Sequence, residues 1–200
     1  MSDKKVALID LDDTLAATSH HMLQYGKDKH NSPYHHEELT RKFREDEPDD
    51  YKVVVKDFLA NIEQVEAITI YPFVPQALKT LKDLGYEIHL ATARKSNLHP
   101  ITPRWLEKHG LSSYIDAIHP RPDDIKSTKF KIDVAEKIGA TVAFDDTYNI
   151  AEALAGIGLT VYLIEKPWNK DEPLQKNMIL VRNFEDAVDQ LIAIEKPASR

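Results

Sequence analysis

Short, nearly unbroken apolar runs set the strongest limit on what this chain can fold into. Val6-Ala7-Leu8-Ile9 is the first. Comparable runs follow at Ile88-His89-Leu90-Ala91, Thr141-Val142-Ala143-Phe144, Thr160 to Ile164 and Met178 to Val181, with a weaker one at Ile115 to Ile118. A strand with one wet face alternates apolar and polar residues, whereas a strand buried on both faces is apolar throughout, as in parallel sheets covered by helices. The segments between the runs carry helical periodicity. Pro75 suits a first turn, and Ala77, Leu78, Leu81 and Leu84 follow at helical spacing up to Gly85. Phe130, Val134 and Ile138 form a second stripe ending at Gly139, and Asn149 is positioned to cap Ile150 to Ala155. Phe184, Val188, Leu191 and Ile192 make a last helix that frays into Lys196 to Arg200. Strand alternating with helix implies an α/β domain with right-handed crossovers and a parallel sheet covered on both sides.

One stretch breaks the alternation. From about Ala16 to Ile70 no strand pattern occurs, and Met22, Leu23, Leu39, Phe43, Val54, Phe58, Leu59 and Ile62 recur at helical spacing. That is too long for a loop in a compact domain, so a small helical insert is expected directly after the first strand. The address matters, because open parallel sheets bind ligands beyond the carboxyl ends of their strands. Composition narrows the partners. The chain has 200 residues with 26 basic and 33 acidic side chains, a net charge of −7, which disfavours a general phosphate-backbone binder. Zero cysteines remove disulfides, thiolate nucleophiles and Cys-ligated zinc. No charge-free apolar run reaches the roughly 18 residues of a membrane helix. No signal segment precedes the first run, so the expectation is a soluble, cytoplasmic domain without a membrane partner.

The polar residues at the strand ends carry the chemistry. The first run leads into Asp10-Leu11-Asp12-Asp13-Thr14-Leu15, where Asp10 and Asp12 emerge on the same side. Two carboxylates there repel each other unless a cation or a proton separates them; the alternative is a plain acidic turn. Phe144 leads into a second pair, Asp145-Asp146, which could equally cap the next helix. Were the two strands neighbours, three or four carboxylates would converge into a hard oxygen site suited to Mg²⁺. The run ending at Ala91 continues into Thr92-Ala93-Arg94-Lys95, where a hydroxyl, backbone N–H groups and a guanidinium form a phosphate cradle. Among the lysines that precede the Asp145 strand, Lys131 shares the inward Ala135/Ile138 side of its helix, with Lys129 as second choice.

Asp10-x-Asp12-x-Thr14-Leu15, Thr92, a helix-borne lysine and Asp145-Asp146, in that order and each after a strand, resemble the four motifs of the haloacid dehalogenase-like (HAD) phosphohydrolases. The resemblance spans nearly the whole chain. It implies a HAD-type Rossmann-like three-layer α/β/α core over residues 1–15 and 71–200, with a small helical C1-type cap at 16–70. Asp145-Asp146 with Asn149, and Lys166-Pro167-Trp168-Asn169, are further similar to the 5′(3′)-deoxyribonucleotidase group and its bacterial 5′-nucleotidase-like relatives. The implied activity is Mg²⁺-dependent hydrolysis of a small phosphomonoester, a nucleoside monophosphate being the expected substrate. Asp10 would be the nucleophile that forms an aspartyl-phosphate. Asp12 would be the general acid/base, with a pKa raised by its carboxylate neighbours and partial burial. The metal would be held by Asp10, the Asp12 carbonyl and Asp145, with Asp146 behind them, and Thr92, Ala93, Arg94 and Lys131 would bind the phosphate. An acid/base carboxylate two residues after the nucleophile favours hydrolysis over retained phosphoryl transfer.

The other features have plainer readings. His20-His21 and His35-His36 are adjacent pairs that cannot share a helix face, so no histidine metal site is expected, and His89 reads as packed and hydrogen-bonded. The run from Arg41 to Asp50 reads as solvated surface. Tyr25, Tyr34, Phe43 and Tyr51 read as core or surface of the insert, with base stacking as the alternative. Trp168 packs under the site or covers the sheet edge. A polynucleotide 3′-phosphatase would want an open basic channel, which the acidic insert does not suggest, and stable nucleic-acid binding is not expected. A non-catalytic phosphate-binding regulator on the same fold is the non-enzymatic alternative. Oligomeric state is left open by the sequence.

Overall fold

In the computed structural model, which describes residues 4–195, six strands form one sheet. They are β1 (Val6–Ile9), β2 (Glu87–Thr92), β3 (Ala117–Pro120), β4 (Val142–Asp145), β5 (Thr160–Ile164) and β6 (Met178–Val181). Every pairing is parallel and the order is β3-β2-β1-β4-β5-β6. The chain therefore works outward from β1 through β2 to β3, then returns to place β4 on the other flank of β1. That reversal makes the β1/β4 boundary the switch point at which such sheets open a crevice. Ile9 stands level with Leu90 of β2 and Phe144 of β4, so Asp10, Thr92 and Asp145 all lie at the carboxyl edge.

Alternate residues of each strand feed two apolar layers. Ile9, Ile88, Leu90, Phe144 and Tyr162 pack under α5 (Val74–Asp83), α6 (Ile101–Lys108) and α9 (Phe184–Glu195). Leu8, Ala91, Ala143, Val161 and Leu163 face α7 (Ser127–Ile138) and α8 (Tyr148–Gly156). Each large side chain removed from water in this way contributes roughly 1.5–3 kcal/mol. Gly139 ends α7 at φ +66°, a left-handed cap that lets its N–H reach back to the Glu136 carbonyl.

Three local expectations shift. The weak run near 115–118 pairs two residues later, as Ala117–Pro120, because the Asp116 carboxylate is engaged by the Ile88 N–H at 2.7 Å ahead of the ladder. Asn149 is not a cap: α8 begins at Tyr148 with Thr147 as its preceding residue, and the Thr147 N–H is already taken by Asp145 Oδ1 at 2.9 Å. Helix α6 was not foreseen from the sequence. The fraying expected at Lys196 to Arg200 lies outside the described residues.

The stretch between β1 and α5 is helical, with α1 (Thr18–His30), α2 (Arg41–Glu45), α3 (Asp49–Ala60) and α4 (Ile62–Ala67). It is fastened to the sheet layer in two places. Tyr25, Phe58, Val65 and Ile68 join the larger apolar layer, and the Trp105 indole donates to the Ile68 carbonyl at 2.7 Å. Leu23, Leu39 and Tyr51 form a separate cluster with Trp168 from beyond β5, flanked by Tyr34 and Phe43. The Arg41–Asp50 run is accordingly not all solvated surface. The Arg44 guanidinium lies 3.6 Å from the Trp168 ring centroid, and Arg41 Nη1 bonds both Glu172 oxygens at 2.6 and 2.7 Å. No helix among the described residues is long and apolar enough to cross a membrane.

Candidate active site

β1 delivers Asp10 to the sheet edge, where its N–H donates to the Phe144 carbonyl at 2.9 Å and locks it against β4. The chain then turns sharply. Leu15 and Ala16 donate N–H groups back to the Leu11 carbonyl, and Asp13 adopts φ +59°, a left-handed position that Asp tolerates better than bulkier residues. The Asp13 carboxylate accepts from Ser19 N at 2.9 Å and Ser19 Oγ at 2.7 Å, which pins the turn to the first helical turn of α1.

The second acidic pair arrives on β4, and Lys131 from α7 joins the two. Its Nζ donates to Asp10 Oδ1 at 2.5 Å and to Asp145 Oδ2 at 2.6 Å, and the lysine is only 2% exposed. Burial would push the Lys131 ammonium toward its neutral form, but Asp10 and Asp145 outweigh this and raise its pKa above the usual lysine value. Asp10 is pushed well above the ordinary carboxylate range, first by burial and then by Asp145, Asp146 and Asp12, against the pull of Lys131. Asp146 is raised to about 7 by burial, Asp145 and Asp13. Its carbonyl accepts from the Trp168 indole at 3.0 Å and Asn169 Nδ2 at 2.7 Å, and its Oδ2 accepts from the same indole at 3.1 Å.

Asp12 departs from expectation. Arg94 grips it with two parallel bonds, Nε to Oδ2 at 3.0 Å and Nη2 to Oδ1 at 2.7 Å, and Thr18 Oγ1 donates to Oδ1 at 2.5 Å. Burial alone would raise the Asp12 pKa, but the Arg94 charge and these hydrogen bonds hold it below the usual value. The carboxylate expected to act as acid/base is thus held toward its ionised form rather than raised, and Arg94 spends two of its donors on Asp12. Thr92 is buried at the end of β2 with its hydroxyl accepting from Arg94 N at 3.2 Å, and the Ala93 carbonyl accepts from Arg121 Nε at 3.0 Å. Lys129 stands apart, exposed and paired with Asp133 at 2.8 Å.

Asp10, Asp12, Arg94, Lys131 and Asp145 therefore converge, with Asp146 beside them. Sequence reasoning assigned Asp13 no role and named Asn169 only within a resemblance, and of the two readings for Trp168 the indole contact to Asp146 matches packing under the site. Lys131 stands between Asp10 and Asp145, and among the described residues no three acidic or histidine side chains close into a ready cation cage. The donor set nevertheless fits Mg²⁺. Its atoms are hard carboxylate oxygens, and Asp10, Asp145 and Asp146 are buried together with Lys131 as the ammonium bonded between the first two.

No protein family matches the chain in a family scan, and no curated protein matches it by sequence. Solved structures do. A candidate beta-phosphoglucomutase from Thermotoga maritima superposes with a TM-score of 0.66 at 18% identity, covering 95% of this chain and 99% of the other. A haloacid dehalogenase-like family hydrolase from Streptococcus pneumoniae gives 0.63 at 13% identity over 96% and 100% of the two chains. CbbY from Rhodobacter sphaeroides, solved in complex with phosphate, gives 0.59 at 18% identity over 92% and 96%. With the parallel sheet and its strand order, these likenesses establish that the chain has the Rossmann-like α/β fold of the haloacid dehalogenase-like structures.

Proposed function

We propose that the protein is a Mg²⁺-dependent HAD phosphatase that hydrolyses a small phosphomonoester, with residues 16–70 acting as a small cap over the site. The observation that carries this reading is the Lys131 bridge. One buried ammonium holds Asp10 and Asp145, which arrive on adjacent strands at the sheet's switch point, within 2.6 Å of itself. Asp10 attacks phosphorus in line. An Asp10 oxygen–phosphorus bond forms as the bond to the leaving oxygen breaks, and Asp12 gives that oxygen its proton. Asp12 then takes a proton from water as the water attacks phosphorus, and the Asp10 oxygen–phosphorus bond breaks to release inorganic phosphate. Thr92, the Ala93 N–H and Lys131 steady the phosphate oxygens. Because Arg94 holds Asp12 ionised, the arriving phosphate must draw Arg94 away before Asp12 can carry a proton. Asp10, the Asp12 carbonyl and Asp145 would hold the Mg²⁺, with Asp146 behind them, and the ion would supply neutralisation of the charge shared by nucleophile and phosphate.

The narrower reading, a nucleoside monophosphate, is supported by the Asp145-Asp146…Asn149 and Lys166-Pro167-Trp168-Asn169 strings. Phosphate release from nucleoside 5′- and 3′-monophosphates, sugar phosphates and a 3′-phosphorylated oligonucleotide, with and without Mg²⁺, tests both levels. Mg²⁺-dependent release that Asp10→Asn and Asp12→Asn both abolish is expected. Release that survives Asp10→Asn, or none from any substrate, overturns the phosphatase reading.

A further inference from the structure

Between the helical insert and the strand ends lies a cavity of about 650 Å³. Asp12, the group proposed to protonate the leaving oxygen, lines it, so the leaving group belongs there. The cavity's charge runs against that of the chain. A protein with a net charge of −7 lines this space with Lys52, Lys56, Arg94, Lys95 and Arg121 against only Asp12 and Glu47. Arg94 is matched by Asp12, and Lys52 pairs with Asp49 at 3.0 Å. Among the described residues the Lys56 and Lys95 ammonium groups make no side-chain hydrogen bond or ion pair, and both side chains are exposed.

Arg121 is a cation fixed in place. Its guanidinium is held by the Ala93 and Ile125 carbonyls at 3.0 and 2.6 Å, with no ion pair to a carboxylate among the described residues. The nearby Asp123 carboxylate is bonded by Ser96, whose N–H and hydroxyl donate at 2.9 and 2.5 Å, and it feels the Arg121 charge through space without a direct ion pair. Arg94 is 6% exposed, and its Nη1 is buried without a hydrogen-bond partner. The apolar walls are aliphatic: Met22, Val55, Leu59 and Leu98. No aromatic ring lines the cavity, because Tyr34, Phe43 and Tyr51 are committed to the Trp168 cluster and Tyr25 to the larger apolar layer. Recognition by base stacking has no platform here, whereas recognition of negative charge has several.

We infer that this cavity binds a second anionic group, a phosphate or a carboxylate, carried on the leaving alcohol. The inference rests on the phosphatase reading for its geometry, replaces the plain nucleoside monophosphate of the narrower reading, and narrows the substrate to monoesters that carry a second phosphate or a carboxylate. Matched pairs test it: a nucleoside 3′,5′-bisphosphate against the 5′-monophosphate, glucose 1,6-bisphosphate against glucose 6-phosphate, and phosphoglycolate against ethyl phosphate. The first two pairs probe a second phosphate and the third a carboxylate. KM is measured on the wild type with Mg²⁺, and Kd by calorimetry on Asp10→Asn, which binds without turning over. Two exposed lysines engaging one anion favour the member with the second anionic group by about tenfold in at least one pair. That ratio shrinks at high ionic strength and falls to about one in Lys56→Glu/Lys95→Glu, since the attraction is partly screened charge. Equal KM and Kd within each pair, a preference that the double substitution leaves intact, or no measurable binding of either member overturns the inference. If no ester is hydrolysed, the phosphatase reading fails separately, and the Kd comparison still decides the matter of the second anion.

Discussion

Replacing Lys131 by Met removes the one ammonium bonded to both Asp10 and Asp145, and leaves two buried carboxylates facing each other. Breaking a buried ionic network in this way costs about 3–5 kcal/mol, less whatever a proton on one carboxylate recovers. Urea unfolding should show that loss, together with loss of phosphate release. Lys129→Ala removes only an exposed pair with Asp133 and should stay within about 0.5 kcal/mol of wild type with turnover intact. Equal effects of the two would end the case for Lys131. At this scale much of the site was legible in the sequence. Asp10, Asp12 and Asp145 follow buried runs directly, and Lys131 sits four residues before Ala135 on the inward face of α7. The Arg94–Asp12 grip was not legible. It joins residues 82 apart in sequence, and only the register of β1 against β2 brings them together. For the same reason the Asp12 pKa was expected to be raised and is instead lowered.

The approach of α1 to α3 depends on a missing side chain. A Cβ at Gly26 would meet Val54 Cγ1 at 2.8 Å and Ser32 Cβ at 3.2 Å. Helix propensity alone favours Gly26→Ala by about 1 kcal/mol. The crowding should reverse that sign and destabilise the protein by about 1–3 kcal/mol. Val54→Ala frees the space, so Gly26→Ala should cost less, or even stabilise, in that background. Unfolding of the four proteins measures the coupling, and a null coupling would mean that the helices stand further apart. The link from the insert to the strand ends can be probed at Trp168, which is 5% exposed. Trp168→Phe keeps a ring in the Leu39/Tyr51 cluster but removes the donor to Asp146. It should cost about 1–3 kcal/mol and lower kcat, whereas Trp168→Ala should cost about 3–5 kcal/mol. A Phe variant with wild-type kcat would reduce Trp168 to packing. The helices with clean apolar stripes, α5, α7 and α9, were readable from sequence. Helix α6 was not, because Pro100 and Pro103 look like breakers, although in the structure both fall at or before the first turn, where no intrahelical N–H is required.

Acid should loosen the insert from the sheet layer before it unfolds the whole molecule. His36 stacks on His20 with ring centroids 4.5 Å apart and meets the Trp168 ring edge-on at 5.7 Å. Its Nε2 is buried without a partner. Burial, then the charges of His20 and Lys166, with a further push from Arg44 and a partial offset from Glu37, lower its pKa from 6.5 to about 4. A base whose folded pKa lies below its unfolded value contributes stability in full above the unfolded value. That contribution is lost as pH falls from 6.5 toward 4. Asp186 behaves in the opposite chemical sense and in a lower window. Hydrogen bonds from the Arg182 side chain and backbone bring its pKa down from 3.8 to about 2, so its contribution is complete above 3.8 and disappears between 3.8 and 2. The two windows separate the insert from the β6–α9 corner. Tryptophan fluorescence and the urea midpoint, followed from pH 8 to 2, should show a first loss between 6.5 and 4. His36→Phe, which keeps a ring but cannot take a proton, should shrink that loss to the part that His21 and His119 contribute, since burial lowers their pKa values in the same sense, while Asp186→Asn should leave it in place and flatten the later one. Superimposable wild-type and His36→Phe curves across the upper window would show that the insert is held by the Arg41–Glu172 pair and the Arg44–Trp168 stack without any contribution from His36.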